Sequence, residues 1–251
     1  MLTDPLFLAM LIFSVVLLGL AKGGFAGVGM VATPLMALVI PPLQAAAIFL
    51  PILIVQDIIS VWAYRRDWDA WNLKVLMPGG VIGICIAWAL AAHLSDTMVR
   101  LAVGLIGVAF VLNAWFGKLP AEARTPSAAS GVFWGSVSGF TSTLVQAGSP
   151  PFQVHMLPQR LPKLTFVGTN AIFFAFVNAV KVLPYFSLGQ FTSETIEISL
   201  WMLPLAIATN FLGIWLVRVT PVVLFYRIAY MLVFLISLGL TWNASRALLG
   251  I

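Results

Sequence analysis

Charge is scarce in this sequence. Of its 251 residues only 8% are Asp, Glu, Lys or Arg, whereas 61% are hydrophobic, and the mean hydropathy is +1.06. A soluble domain carries roughly a quarter charged residues to keep its surface wetted, so a water-soluble globule is excluded. Cysteine is scarcer still. The single Cys85 rules out an internal disulfide and a cysteine-based metal site; within its apolar run it reads as a small core residue. The two histidines, His93 and His155, stand far apart without a supporting cluster, so no metal and no cofactor is expected. A GxxxxGK[ST] phosphate loop is missing, which places no ATPase in the chain. No convergent set of acid, base and metal groups is present, so no catalytic residue and no enzyme are expected. The net charge of +5 lies mostly at the ends of apolar runs, where it sets topology and does not signal nucleic acid.

What the sequence has in abundance is uninterrupted apolar length. In lipid only helices and closed barrels satisfy the backbone internally. Barrel strands alternate apolar and polar residues, whereas LFLAMLIFSVVLLGLA is continuous and helical in character. A crossing helix needs about 20 residues. The runs fall at 5–40, interrupted at Lys22-Gly23-Gly24, then 43–64, 73–93 and 97–116. A polar connector, GKLPAEARTPSAAS, follows, and further runs occupy 131–157, 164–185, 195–217 and 222–249. The first run lacks a basic leader and a small-residue cleavage site and is expected to be retained as a span. The expectation is an all-α integral membrane protein with about eight transmembrane helices. They form two related four-helix halves, 1–116 and 131–251, joined by a linker at 117–130.

The halves share a pattern. Gly24-Phe25 precedes Pro34 and Pro41, and Gly139-Phe140 precedes Pro151 and Pro158 at the same proline spacing. Arg100-Leu101-Ala102 and Arg227-Ile228-Ala229 open the last run of each half. Internal duplication is typical of transporters, in parallel or inverted form according to the number of segments per half. Lys and Arg in short loops mark the cytoplasmic side. Arg65, Arg66 and Lys74, with Lys118 and Arg124 of the linker, fall on one side of an eight-span arrangement together with both termini. Arg160 and Lys163 oppose that bias. Trp62, Trp68 and Trp71 suit an interfacial belt.

Two segments break the helical pattern in corresponding places: KGGFAGVGMVATP at 22–34 and SGFTSTLVQAGSPP at 138–151. Glycine lets other groups approach the backbone, and proline removes a donor. Irregular backbone at membrane depth is tolerated where it faces protein or a water-filled cavity, and paired breaks point to a transporter's binding site. A broken helix presents N–H groups and a positive dipole end to an anion. Thr141, Ser142, Thr143 and Ser149 add hydroxyl donors; Gln146, Gln153 and Asn170 add uncharged polar groups. Close packing of small residues is the competing explanation. Lys22, flanked by apolar sequence, is the basic residue best placed to meet an anion. Lys181, after Asn170 and Asn178, either serves the site or snorkels to an interface one turn away. Asp57 either carries a coupling proton, pairs with Lys22 or a backbone donor, or sits in a partly wet position.

At these segments the chain resembles the TauE/SafE family of sulfite exporters and anion permeases. The resemblance rests on GGFAGVGMVATPLMAL, QAAAIFLPILI, SGFTSTLVQAGSPPFQVHML and FVGTNAIFFAFVNAVKVLPY and covers nearly the whole chain. Gly23, Gly24, Gly27, Gly29 and Pro34 match the first motif, where Val28 and Met30 interrupt the family's fuller glycine run. Gly148, Pro150, Pro151, Gly168, Thr169, Asn178 and Lys181 match the second. The resemblance implies a secondary transporter that exports a small sulfur-containing oxyanion, such as sulfite or an organosulfonate, across the bacterial inner membrane, driven by an ion gradient. An anion channel, or the permease subunit of a larger complex, is the alternative. The partners expected are the small anion and the lipid bilayer; a homo-oligomer is left open.

Overall fold

The long apolar runs become helices that begin and end where their caps dictate. The computed structural model describes residues 4–25, 28–91, 93, 95–116, 123, 125–219 and 222–249. Helix α1 (Pro5–Gly23) starts on the Asp4 side chain, which accepts from the Leu6 N–H, and on a proline at the first position, where its missing donor costs nothing. It stops at Gly24, whose φ of 132° suits glycine alone. A 3-10 turn (Val28–Val31) and the short α2 (Ala32–Met36) follow. Then come α3 (Pro42–Ala63), α4 (Ala70–Ala91) and α5 (Asp96–Phe116). The order repeats as α6 (Ala128–Val145), the short α7 (Ser149–Met156) with a 3-10 turn, α8 (Lys163–Ser187), α9 (Ser193–Val219) and α10 (Val222–Leu249). The described residues contain no strand. Among the described residues five helices, α1, α3, α4, α8 and α9, are long and apolar enough to cross a membrane. Outward-facing side chains such as Phe186, Trp201 and Ile58 are largely exposed, as a lipid-facing surface requires. Cys85 is exposed on α4; the expected core position gives way to the outer surface.

The short segments run backwards. The C-terminal ends of α1 and α3 meet: Ser60 donates to the Lys22 carbonyl at 2.8 Å and Tyr64 to the Gly23 carbonyl. The two helices therefore point the same way. The chain between them must return along α1, and it does: Gly29 lies against Ala21 and Leu18, and Ser14 donates to the Ala32 carbonyl. The second set does the same. Lys181 and Tyr185 of α8 donate to the Ser142 and Thr143 carbonyls at the end of α6. The return passes Ser138, which donates to the Gly148 carbonyl, and then Ser130, 3.0 Å from His155. His155 also meets Asn72, which exchanges two amide hydrogen bonds with Gln159.

These clamps recur at a fixed separation. Asp57 and Asn178 are 121 residues apart and hydrogen-bond to each other at 2.6 Å. Ser60 and Lys181 share that separation, as do Tyr64 and Tyr185, and Pro41 and Pro162, the residues that cap α3 and α8. The register differs from the one the motifs suggest: Pro41 answers to Pro162, not Pro158. Helices α3 and α8 lie antiparallel, with Tyr64 beside Val167 and Tyr185 beside Ala46. Helix α1 packs on α9, α6 on α4, and α5 on α10. Gly19 and Gly23 press on Thr209 and Gly213 of α9, while Gly139 presses on the Gly80 backbone of α4; a Cβ at any of them would overlap its neighbour.

The ends of the bundle differ in charge. The α3–α4 connection and the start of α8 lie together, since the Asp69 N–H meets Thr169 Oγ1 at 2.9 Å and Lys163 reaches the Val217 carbonyl at the end of α9. Arg65, Arg66, Lys74, Arg160 and Lys163 therefore share one end. The first turn of α1 lies at the opposite end, where Phe7 packs with Ile40 and Ile198. The return segments account for this departure from the eight-span arrangement, in which Arg160 and Lys163 opposed the other basic loops. Most of the linker, 117–122 and 124, lies outside the described residues.

Candidate functional site

Between the ends of α1 and α6 the two return segments leave a pocket. Leu18, Ala21, Leu53 and Phe174 form its apolar wall; Lys22, Ser142, Gln146, Ser149, Asn170 and Asn178 supply the polar groups, with Gly29 between them. Six side chains singled out in the sequence thus come together from α1, α6, α7 and α8.

The charges are arranged asymmetrically. Lys22 pairs with Asp57, and its ammonium lies 5.6 Å from the Phe174 ring centroid, a cation–π contact. Asp57 also accepts from Asn178, so the pairing with Lys22 that was one of its open readings is present in the geometry. Lys181 is fully buried and does not snorkel. It donates to the Ser142 carbonyl at 3.2 Å, to Ser142 Oγ at 3.0 Å and to Gln146 Oε1. All three acceptors are neutral, and among the described residues the carboxylate acting on it at longer range is Asp57, already engaged by Lys22. Burying a cation with no carboxylate in contact is costly, and the pocket beside it is where compensation can enter.

Gln146 shows how closely this is built. It caps α6 in the left-handed region, with φ of 57°, which costs an ordinary side chain on the order of 1 kcal/mol. A glycine would relieve that strain but could not bridge Lys181 and the Ala46 carbonyl, which the Gln146 amide reaches at 3.2 Å. Ser142 accepts from Lys181 and retains its own proton for the pocket. Ser149 accepts from Gln153 at 3.3 Å and likewise retains one. The Asn170 side chain makes no hydrogen bond: its buried Oδ1 is an acceptor without a partner, and the donors it offers the pocket are its amide N–H groups. The pocket therefore presents hydroxyl and amide donors backed by an ammonium.

Backbone amides contribute less than the break pattern suggests. Helix α7 opens Ser149-Pro150-Pro151, and the two prolines remove two of its first donors. Thr141 is spent on the break itself, donating at 2.9 Å to the Val137 and Ala147 carbonyls. The glycines are taken up by packing. Gly23 meets Gly213, Gly24 meets Val217 and Val167, Gly148 meets Phe174 and the Ser138 carbonyl, and Gly168 lies on the Asp67 carbonyl. Thr169 holds the α3–α4 connection through Asp69, and Pro150 is buried in α7. None of these lines the pocket. Gly27 lies outside the described residues.

Phe174, Ser60, Tyr64 and Tyr185 were not picked out from sequence. The two tyrosines were accessible to it, because each stands equally far behind the proline that caps its helix, Pro41 and Pro162. Among known proteins, the family model described as sulfite exporter TauE/SafE matches residues 11–240. No curated protein and no solved structure matches the chain.

Proposed function

The chain belongs to the sulfite exporter TauE/SafE family, a family of membrane anion transporters, and from this membership and the pocket we propose that it is a secondary transporter for a small sulfur-containing oxyanion in the bacterial inner membrane. The observation that carries this reading is Lys181. A buried ammonium with neutral partners, next to a pocket with unspent hydroxyl and amide donors, is a site completed by an anion. Sulfite and organosulfonates present several acceptor oxygens on a compact body, which suits donors converging from Ser142, Ser149 and Asn170.

The architecture supports alternating access. In this reading each half, 1–116 and 131–251, contributes five crossings: four long helices and one return segment. An odd number inverts the second half relative to the first, as the antiparallel α3 and α8 suggest. The Asp57–Asn178 contact then marks the pseudo-two-fold axis, and the pocket lies near it, at the midplane where inverted-repeat transporters hold substrate. The end bearing Arg65, Arg66, Lys74, Arg160 and Lys163 faces the cytoplasm, and the start of α1 faces away from it.

Binding and flux in proteoliposomes test the reading. Wild-type protein is expected to bind sulfite or an organosulfonate saturably. Lys181→Met is expected to weaken that binding about tenfold or more, equivalent to roughly 1.4 kcal/mol or above, in protein that remains monodisperse. Undiminished affinity in Lys181→Met would remove the ammonium from the site.

A further inference from the structure

Two lysines, Lys181 buried and Lys22 partly exposed, and one buried carboxylate form the charge set of the pocket region. Lys22 lines the pocket; Lys181 lies behind Ser142 and Gln146; Asp57 joins Lys22 from α3. Among the described residues, the charged groups that face Asp57 are Lys22 and Lys181, and those that face Lys181 are Lys22 and Asp57. The other partners of Asp57 and its helix neighbours are neutral: Asn178 from α8, and Asn210 of α9, which bonds to Gln56 and Ser60. With both lysines protonated the set sums to one positive charge.

We infer that Asp57 makes this site selective for singly charged anions, by cancelling one of its two lysine charges. The inference rests on the anion-binding reading above. A monoanion brings the buried set to neutrality. A dianion leaves a net negative charge in a region where uncompensated charge is strongly disfavoured, and a neutral solute leaves the positive charge unmet. A carboxylate in an anion site is otherwise unfavourable, because it repels the ligand through a medium that screens poorly. Its presence is explained if its task is rejection of the wrong charge. Asn178, at the position equivalent to Asp57, carries the same shape without the charge, so packing alone does not demand a carboxylate there.

The probes are methanesulfonate, which carries one charge, and sulfate, which carries two, measured by calorimetry on full-length protein in nanodiscs. Wild type is expected to bind methanesulfonate at least tenfold more tightly than sulfate. Asp57→Asn raises the set to two positive charges and is expected to shrink that ratio at least tenfold. The double variant Asp57→Asn with Lys181→Gln returns the sum to one and is expected to recover preference for the monoanion. A measurement without substitution complements these. Sulfite binding to wild type is expected to fall as rising pH removes its remaining proton, while methanesulfonate binding stays level over the same interval. Equal affinity of wild type for both probes, or an unchanged ratio in Asp57→Asn, would overturn the inference while leaving an anion site intact. Failure of wild type to bind either probe would overturn the anion reading as well.

Discussion

At the residue scale, the pairing of Lys22 with Asp57 changes what a substitution at Lys22 measures. Taken from sequence, Lys22→Met removes a charge from an anion site. In the structure it also strands Asp57, which is buried and would keep only Asn178 as a partner. Removing one member of a buried ion pair costs about 3–5 kcal/mol. Lys22→Met is therefore expected to lower thermal stability in detergent by several degrees and to reduce monodisperse yield. Lys22→Met combined with Asp57→Asn is expected to restore both, because no unpaired charge remains. Thermal unfolding of the purified variants reads this out directly; a stable single variant would mean that Asp57 finds another partner or a proton. The two lysines, Lys181 buried and Lys22 partly so, were legible in the sequence because an ammonium inside an apolar run is conspicuous at any level of description. Their partners were less so. Lys22 and Asp57 are 35 residues apart and Lys181 and Gln146 also 35, distances over which no helical periodicity connects them. Thr169 is marked out by the family resemblance alone, and its hydroxyl accepts from the Asp69 N–H and so secures a loop.

At the scale of elements, glycine placement governs how closely helices pair. Gly19 of α1 and Gly139 of α6 occupy corresponding places, each allowing its helix to press on a neighbour, α9 or α4. Without an apolar driving force between helices in lipid, such close approach is the main source of association. Gly19→Leu and Gly139→Leu are each expected to destabilise the fold, by about 1–3 kcal/mol or more, as overpacking does, without a selective effect on anion affinity in the fraction that folds. A Gly139→Leu protein with wild-type melting behaviour would show that α4 and α6 can separate freely. The long helices could be read from sequence because lipid leaves no alternative for twenty apolar residues. The return segments could be located but not oriented. Helix α2 has five residues and α7 eight, too few for a periodic pattern, and their direction is set by where α3 and α8 dock on α1 and α6. That docking is fastened by Ser60 and Tyr64 on the Lys22 and Gly23 carbonyls and by Lys181 and Tyr185 on the Ser142 and Thr143 carbonyls.

At the scale of the whole molecule, the return segments decide which loops share a side, and this separates the ten-crossing arrangement from one with eight. With Cys85→Ala as background, single cysteines at Trp68, Leu161 and Gln190 are expected to label in two groups. Trp68→Cys and Leu161→Cys react from the cytoplasmic face, and Gln190→Cys reacts from the other. An eight-crossing protein would group Trp68 with Gln190 and set Leu161 apart. The same arrangement gathers Arg160 and Lys163 with the other basic loops at one end of the bundle.

The contact between Asp57 and Asn178 has an evolutionary corollary. Two separate, identical chains assembled antiparallel about a true dyad must present the same residue twice on that dyad. Two carboxylates there would repel each other, and two amides would leave Lys22 with no counterion. Under the inverted-repeat reading, one of each requires two sequences free to diverge, whether as two unlike chains or as two copies within one polypeptide. At this position divergence of the two halves is what the chemistry requires, and a single polypeptide meets that requirement by holding a heterogeneous pair that no strictly symmetric homodimer can hold.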